Sequence, residues 1–184
     1  VADEIAAVEN VEIVTPTTTE SAVIVGEKTS AYAQLQVSGS DLSRDSIEIS
    51  VGTELARRIG AVIGTKADLV TFADGAALKT TQVAVIEVFQ TGIFDYDASW
   101  VRISADNYIK LHESASFTPT ALSVKVSDIY GSDKTANDIR ARLGPDYRVV
   151  DWQEANRPLF AALSLEQKVS FFIIVLITLV AVVN

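Results

Sequence analysis

The carboxyl-terminal end of the chain most constrains its fold, because fifteen consecutive residues there carry no charge. Within Val169–Val183 the only polar side chains are Ser170 and Thr178. A helix over this run is apolar on every face, whereas an amphipathic core helix keeps a polar stripe. Since a bilayer-spanning helix needs about 20 apolar residues, the run predicts the start of a transmembrane helix over residues 169–184. The alternative is a buried terminal helix or strand.

The rest of the chain has the composition of an acidic protein with a packed core. The net charge is −9, and every charged side chain lies at or before Lys168. Nucleic acid is an unfavourable partner, because phosphate binding requires clustered Lys and Arg. The absence of cysteine and the single histidine, His112, exclude thiol chemistry and histidine-rich metal sites. We expect no metal and no cofactor. Because the chain lacks Met and begins at Val1, we also expect it to be a piece of a longer product.

Alternating strand-like and helix-like patterns predict an α+β fold with a split α/β layer. Residues 1–45 and 115–151 are predicted to form this layer as a split βαβ unit. Residues 46–114 are predicted to be an inserted β-rich subdomain, and 152–168 a membrane-proximal helix ahead of the apolar run.

Local signals predict individual elements. "VEIVTP" is predicted to be a strand closed by Pro16, and "GEKTS" a hairpin turn with Gly26 at the bend. Thr53–Ile59 is predicted to be a helix that Gly60 ends in a left-handed conformation. "SDKTANDIRARLGP" reads as a helix, and "YRVVDW" as the strand that follows it.

The segment before the apolar run carries a helix-start signal. Asp151 and Glu154 have the spacing of a capping box, and Pro158 predicts a kink or a restart of the helix. The segment suits a membrane surface, with Trp152 near the headgroups, or equally a helix packed on the domain's own sheet.

Catalytic signatures are thin. The sequence contains neither a G-x-S-x-G elbow nor a Walker A loop. Asp95 and Asp97 could begin a calcium loop, but an EF-hand would require Gly at Trp100 and Glu at Asp106. We therefore predict a solvated turn there, and a lone exposed histidine in a polar loop at position 112.

Three blocks of the sequence resemble one family of transporter permeases. "VGTELARRIGAVIGTKADLVTF" resembles the "G-x-E-L-A-x-x-L-G-x-x-x-G-D-x-V" segment of lipoprotein-releasing (Lol) permeases. "VIEVFQTGIFDYDASWVRIS" is similar to the strand pair that follows it in that family. "VVDWQEANRPLFAALSLEQKVSFFIIVLITLVAVVN" is similar to the junction between the periplasmic domain and the second transmembrane helix. The blocks cover about Ser50–Asn184.

The resemblance implies the permease subunit of a LolC/LolE-type ATP-binding-cassette machine, related to MacB and FtsX-like permeases. This chain would then be the periplasmic domain between two inner-membrane helices, and the split layer would be its porter-like part. ATP would be hydrolysed by a separate subunit, so the chain itself would not be an enzyme. The implied partners are that ATPase subunit, a second permease subunit in a homo- or heterodimer, the lipoprotein substrate, a soluble periplasmic carrier and the membrane.

The resemblance also suggests site residues. Partner binding is implied at Asp74, Gly75, Leu78 and Lys79. The family's carrier-recruiting subunit has a long, proline-containing hook at this place, whereas "FADGAALKTTQ" is short and has no proline. Asp151, Trp152 and Glu166 are predicted to be structural couplers, and Phe171, Phe172 and Ile174 to contact lipid or the acyl chains of a lipoprotein.

Three other functions remain open on sequence alone. The first is a MacB/FtsX-like permease domain with a different cargo. The second is the periplasmic sensor domain of a membrane receptor, and the third is an envelope domain with a terminal anchor. A permease predicts further apolar spans on both sides of this segment, and a receptor predicts a signalling module after it.

Overall fold

A computed structural model describes residues 1–38, 46–72 and 77–183. Two compact units make up the chain: a central unit, Thr15–Ser123, and a terminal unit, Val1–Val14 together with Val124–Asn184. The helices are α1 Ala2–Ala6, α2 Thr53–Ile59, α3 Phe94–Ser99, α4 Ala105–His112, α5 Ser132–Leu143, α6 Trp152–Ala155 and α7 Arg157–Val183. The strands are β1 Val11–Val25, β2 Ser30–Ser38, β3 Glu48–Gly52, β4 Lys66–Phe72, β5 Leu78–Phe89, β6 Trp100–Ile103 and β7 Ala121–Val126. The predicted α+β class and the terminal apolar helix are confirmed.

The strands of the central unit close on themselves. The sheet order is β2-β6-β3-β5-β4-β1-β7, and β1 also pairs with β2, so six strands form a ring with β7 attached to β1. The β1–β2 ladder runs antiparallel from Thr17↔Ser38 to Val25↔Ser30. Closure depends on a short seam in which Val23–Val25 pairs with Asp68–Val70 of β4.

The core of the central unit follows from the alternation of side chains along these strands. In β2, Ala31, Ala33, Leu35 and Val37 are buried while the residues between them face outward. Leu55 and Ile59 of α2 and Leu111 of α4 complete the same core, and none of these three is exposed. Burying one such side chain stabilises the fold by about 1.5–3 kcal/mol.

The amino-terminal strand is longer than predicted. We expected Pro16 to close a strand, but β1 continues through it to Val25. The ladder with β2 begins at Thr17, so the missing N–H of Pro16 removes no bond from that ladder.

Turn and cap signals predicted the neighbouring elements correctly. β1 and β2 form the hairpin expected at Gly26, whose N–H donates to the carbonyl oxygen of Thr29 at 3.1 Å. The helix predicted over Thr53–Ile59 is confirmed as α2, and Gly60 ends it with a left-handed φ of 77°.

Three local predictions were wrong. "YRVVDW" forms no strand; the carbonyl oxygen of Val149 instead accepts hydrogen bonds from a side chain, that of Arg140. The expected turn at Asp95 and Asp97 is helix α3. His112 does not lie in the expected polar loop but is the last residue of α4. Ser104 caps this helix by accepting from the N–H of Asn107.

The terminal unit gathers residues that are distant in sequence. Asn10 has a left-handed φ of 72°, and its side chain accepts from the N–H of Asp128 at 2.7 Å. The same side chain donates to the carbonyl oxygen of Asp128 and to Oγ1 of Thr135, each at 3.0 Å. Ile139 of α5 is buried in this unit.

The two compact units can be set beside the subdomains predicted from the sequence. The central unit runs from Thr15 to Ser123, which is wider than the inserted subdomain expected over 46–114. The assignment of one part as membrane-proximal and the other as distal stays a prediction.

Candidate functional site

The start of the long helix is held by one arginine of the terminal unit. Arg140, in the last turn of α5, donates to the carbonyl oxygen of Val149 from Nη2 at 2.7 Å and from Nε at 3.2 Å. Nη2 also donates to Oε2 of Glu154 in α6 at 2.8 Å. The planar guanidinium thus joins α5 to the segment leading into α6, a geometry that lysine cannot reproduce.

Asp151 and Trp152 belong to the same cluster, which we call the junction. Oδ1 of Asp151 accepts from the N–H of Glu154 at 2.6 Å and so caps α6. The Glu154 carboxylate does not complete the capping box but pairs with Arg140. The indole N–H of Trp152 donates to the carbonyl oxygen of Ile129 at 3.0 Å, which holds the ring on its own domain.

A break of one residue separates α6 from α7. Asn156 lies between the two helices, and its Nδ2 donates to the carbonyl oxygen of Trp152 at 2.7 Å. Pro158 falls in the first turn of α7, where its missing N–H has no intrahelical partner to lose. Of the two outcomes expected from Pro158, a kink or a restart, the structure has the restart.

The side chains of helix α7 that the structure describes are exposed. It has 27 residues, so it is about 40 Å long. Among the described residues, Arg157–Leu179 is one stretch that is long and apolar enough to cross a membrane, with a mean hydropathy of 1.8. Phe171, Phe172 and Ile174 are each more than 60% exposed. Glu166 lies on α7 roughly 14 Å along the axis from Arg157, away from the junction.

The predicted partner-binding residues lie at the β4–β5 hairpin. Asp74 and Gly75 fall outside the described residues. Leu78 pairs with Phe72 across the hairpin, and these two side chains are 69% and 60% exposed. Lys79 is held in the central unit, because its Nζ donates to Oε1 of Glu113 at 2.7 Å.

Comparison with known proteins identifies relatives of this arrangement. No family model matches the chain. The sequence is 27% identical over 154 residues to the lipoprotein-releasing system transmembrane protein LolC of Neisseria meningitidis serogroup B, a match that covers 78% of this chain and 36% of LolC. The chain therefore spans about a third of that relative's length.

Two solved structures share the fold. The periplasmic region of MacB from Actinobacillus actinomycetemcomitans superposes with a TM-score of 0.53 and 13% identity, covering 86% of this chain and 80% of that one. The extracellular domain of the noncanonic ABC-type transporter YknZ from Gram-positive bacteria gives 0.52 and 12%, covering 82% and 87%. The resemblance to permeases of the LolC, MacB and FtsX type is confirmed.

The first two of the resembling blocks meet inside the central unit. A Cβ added at Gly52, at the start of α2, would lie 2.4 Å from the carbonyl oxygen of Asp97 in α3. Beside it, Oγ1 of Thr53 donates to the carbonyl oxygen of Phe89 at 2.8 Å. These positions therefore maintain the packing of α2 and α3.

Asp97 is a buried loop cap of the central unit, with 4% of its surface exposed. Its Oδ1 accepts from the N–H of Thr91 at 2.7 Å and from the Thr91 hydroxyl at 2.8 Å, and Oδ2 accepts from the N–H of Gly92 at 3.2 Å. Among the described residues, no group of three or more His, Cys, Asp or Glu is placed to hold a metal.

We expect Asp97→Asn to lower the melting temperature at pH 7, because an amide NH₂ would face donors that the carboxylate now accepts from. The N–H of Thr91 above all, with the Thr91 hydroxyl, the N–H of Gly92 and Arg102, lowers the pKa of Asp97 against the opposing effect of burial. A carboxyl group whose pKa is lowered by folding stabilises the fold at any pH above its pKa in the unfolded chain. This stabilisation is lost as the pH falls through its pKa in the folded protein.

The measurement is thermal unfolding of both proteins from pH 7 to pH 3. The difference between them should shrink below the ordinary carboxyl value of 3.8. A difference that stays constant down to pH 3 would contradict the role of the charge.

Sequence reasoning missed two residues of the junction. Arg140 and Glu154 fix the cluster, yet no pattern singled out Arg140, and Glu154 was identified only as half of a capping box. A signal was present, since Arg140 lies in the last turn of a helix, where cations are favoured. The sequence could not reveal the oxygen atoms that it binds.

Proposed function

We propose that this chain is the periplasmic domain of an inner-membrane permease subunit that couples ATP-driven motion to the release of lipoproteins toward a periplasmic carrier. The similarity to LolC carries the proposal, because LolC belongs to a lipoprotein-releasing system. ATP is hydrolysed by a separate cassette subunit, and a second permease subunit completes the complex as a homo- or heterodimer.

The junction supports a mechanical role. Arg140 links α5 to the residues that lead into α7 through three hydrogen bonds, to Val149 and Glu154. Displacement of α7 by the ATPase is therefore transmitted to α5 through the junction, in which Asp151 and Trp152 take part. Glu166 acts separately, on α7 itself.

Two exposed surfaces complete the proposal. Phe171, Phe172 and Ile174 on α7 contact lipid or the acyl chains of the lipoprotein, because an uncovered apolar helix is unfavourable in water. Leu78 and Lys79 of the β4–β5 hairpin, together with Asp74 and Gly75, contact the carrier or the partner subunit. The exposed Phe72–Leu78 pair would supply the apolar contact.

A second candidate function is a MacB-like permease domain with another cargo. The fold shared with the MacB periplasmic region favours it. The two candidates differ in cargo rather than in architecture, so transport of a lipoprotein decides between them.

The test uses the full-length parent subunit, co-expressed with a lipoprotein-releasing ATPase subunit and reconstituted into proteoliposomes with a labelled lipoprotein. We expect the two subunits to co-purify, and lipoprotein to pass to soluble carrier only when ATP is present. A hydrolysis-deficient ATPase is the control for release.

Each outcome of this assay has a distinct meaning. Co-purification and ATP hydrolysis without release would contradict the lipoprotein cargo and favour the MacB-like alternative. Failure of the subunits to associate would contradict the permease assignment itself. If Leu78→Asp leaves release unchanged, the carrier does not need the apolar contact at the hairpin, although the transport function would stand.

A further inference from the structure

The carboxyl end of α4 lies in a cluster of ionisable side chains within the central unit. The Tyr108 hydroxyl donates to Oε2 of Glu20 in β1 at 2.7 Å. Nε2 of His112 lies 3.3 Å from the same oxygen, without the geometry of a hydrogen bond. The rings of Tyr108 and His112 are tilted by 47° to each other, with their centroids 4.4 Å apart.

This cluster is incompletely satisfied. Oε1 of Glu20 and Nε2 of His112 are both buried atoms without a hydrogen-bond partner. A buried polar atom without a partner lowers the stability of the fold. A change that pairs the His112 imidazole with the Glu20 carboxylate would therefore raise the stability. Burial and the Glu20 carboxylate raise the pKa of Tyr108 above its ordinary range, so Tyr108 stays a neutral donor.

A second ion pair ties the same end of α4 to another strand. Glu113 follows His112 in a left-handed conformation, and its carboxylate accepts from Lys79 of β5 at 2.7 Å. The hydrogen bond from Lys79 lowers the pKa of Glu113, which therefore remains charged. The end of α4 is thus attached to β1 through Glu20 and to β5 beside the hairpin.

Apolar side chains pack beside the cluster in the part of the chain that the structure describes. Helix α4 packs on β2, and the side chains of Leu35 and Val37 of that strand are buried in the core. Phe117 meets the Tyr108 ring edge-on. The remaining charge on α4 near this end is that of Lys110. Histidine is the side chain that ordinarily changes its charge between pH 5 and 8.

We propose that His112 and Glu20 form a proton-controlled clasp. Protonation of His112 converts the 3.3 Å contact into an ion pair with the Glu20 carboxylate. This ion pair then holds the carboxyl end of α4 on β1. Through the Lys79–Glu113 pair, it also reduces the mobility of the start of β5 in the β4–β5 hairpin. Mild acid therefore tightens this region, and loss of the proton loosens it. The inference does not depend on the cargo or partners of the chain.

The test is hydrogen exchange of the whole 184-residue chain in detergent micelles at pH 5.5 and pH 7.5, corrected for the intrinsic pH dependence of exchange. In the parent we expect protection of residues 105–113 and 78–82 to be about two- to fivefold greater at pH 5.5, as for a modest ion pair. His112→Gln and Glu20→Gln should each abolish this difference. Lys125→Gln removes the cation of a surface pair with Glu12, and should retain it.

The same increase at pH 5.5 in His112→Gln and Glu20→Gln as in the parent would overturn the clasp. If His112→Gln does not fold, Glu20→Gln still decides, because its amide oxygen can accept from Tyr108. His112 is also the only histidine, so the parent gives one set of imidazole NMR signals. Protection that changes while these signals do not would equally contradict the proposal.

Discussion

Gly26→Ala is expected to destabilise the central unit by about 3 kcal/mol, although the turn itself does not require glycine there. The added Cβ would lie 2.3 Å from the carbonyl oxygen of Ile59 and 2.8 Å from its Cβ. That carbonyl is fixed, because it accepts from the N–H of Lys28 at 3.1 Å and ends α2. The clash involves backbone, so neither side can relax by a rotamer change.

Urea denaturation of the whole chain in detergent, followed by tryptophan fluorescence, measures this effect. Gly64→Ala is the matched control, because Gly64 has a left-handed φ of 91° and open space within 4 Å of an added Cβ. Backbone strain alone should cost about 1 kcal/mol there. Equal losses in the two variants would mean that the β1–β2 turn does not rest rigidly on α2.

Arg140→Ala is expected to loosen the junction by about 2 kcal/mol, which corresponds to roughly a 30-fold loss of amide protection over residues 149–156. The variant removes both bonds to the Val149 carbonyl and the pair with Glu154. Both charged side chains are 38% exposed, so most of the loss comes from the hydrogen bonds rather than from the charge pair.

Hydrogen exchange and the reconstituted release assay together test Arg140. Arg142→Ala is the control, because Arg142 donates to the carbonyl oxygen of Glu4 at 3.2 Å and lies outside the junction. If the junction transmits motion, Arg140→Ala should lower lipoprotein release while ATP hydrolysis continues. Release that persists after protection of 149–156 is lost would argue against transmission through the junction.

Local patterns predicted the elements that depend on local physics. The helix at Thr53–Ile59 ends at Gly60 because glycine accepts φ of 77° without steric cost. The apolar terminal helix follows from composition alone, since no face of it is polar. Asp151 was identified as a cap because its side chain satisfies an N–H only three residues away.

The features that the sequence left undetermined depend on distant contacts. Asp97 was read as solvated because the N–H groups of Thr91 and Gly92 that donate to its buried carboxylate come from a loop shape that no pattern specifies. His112 was read as exposed because its neighbour Glu20 lies more than 90 residues away in sequence. Arg140 was missed because "YRVVDW" was predicted to be a strand, in which the Val149 carbonyl would bond to a neighbouring strand. In the structure this carbonyl accepts from Arg140 instead.

The closed ring of the central unit limits how another protein can recognise it. Each of its six strands has a neighbour on both sides, from β2 through β6, β3, β5 and β4 to β1 and back. Peptide binding by strand addition requires an open row of backbone N–H and C=O groups. Where two neighbours are paired to a strand no such row is open, whereas residues 78–83 of β5 pair with β4 but lie outside the β3 ladder. Separation of a three-residue seam, β1–β4 at residues 23–25 or β3–β6 at residues 49–51, would expose a further template, and with it a risk of aggregation.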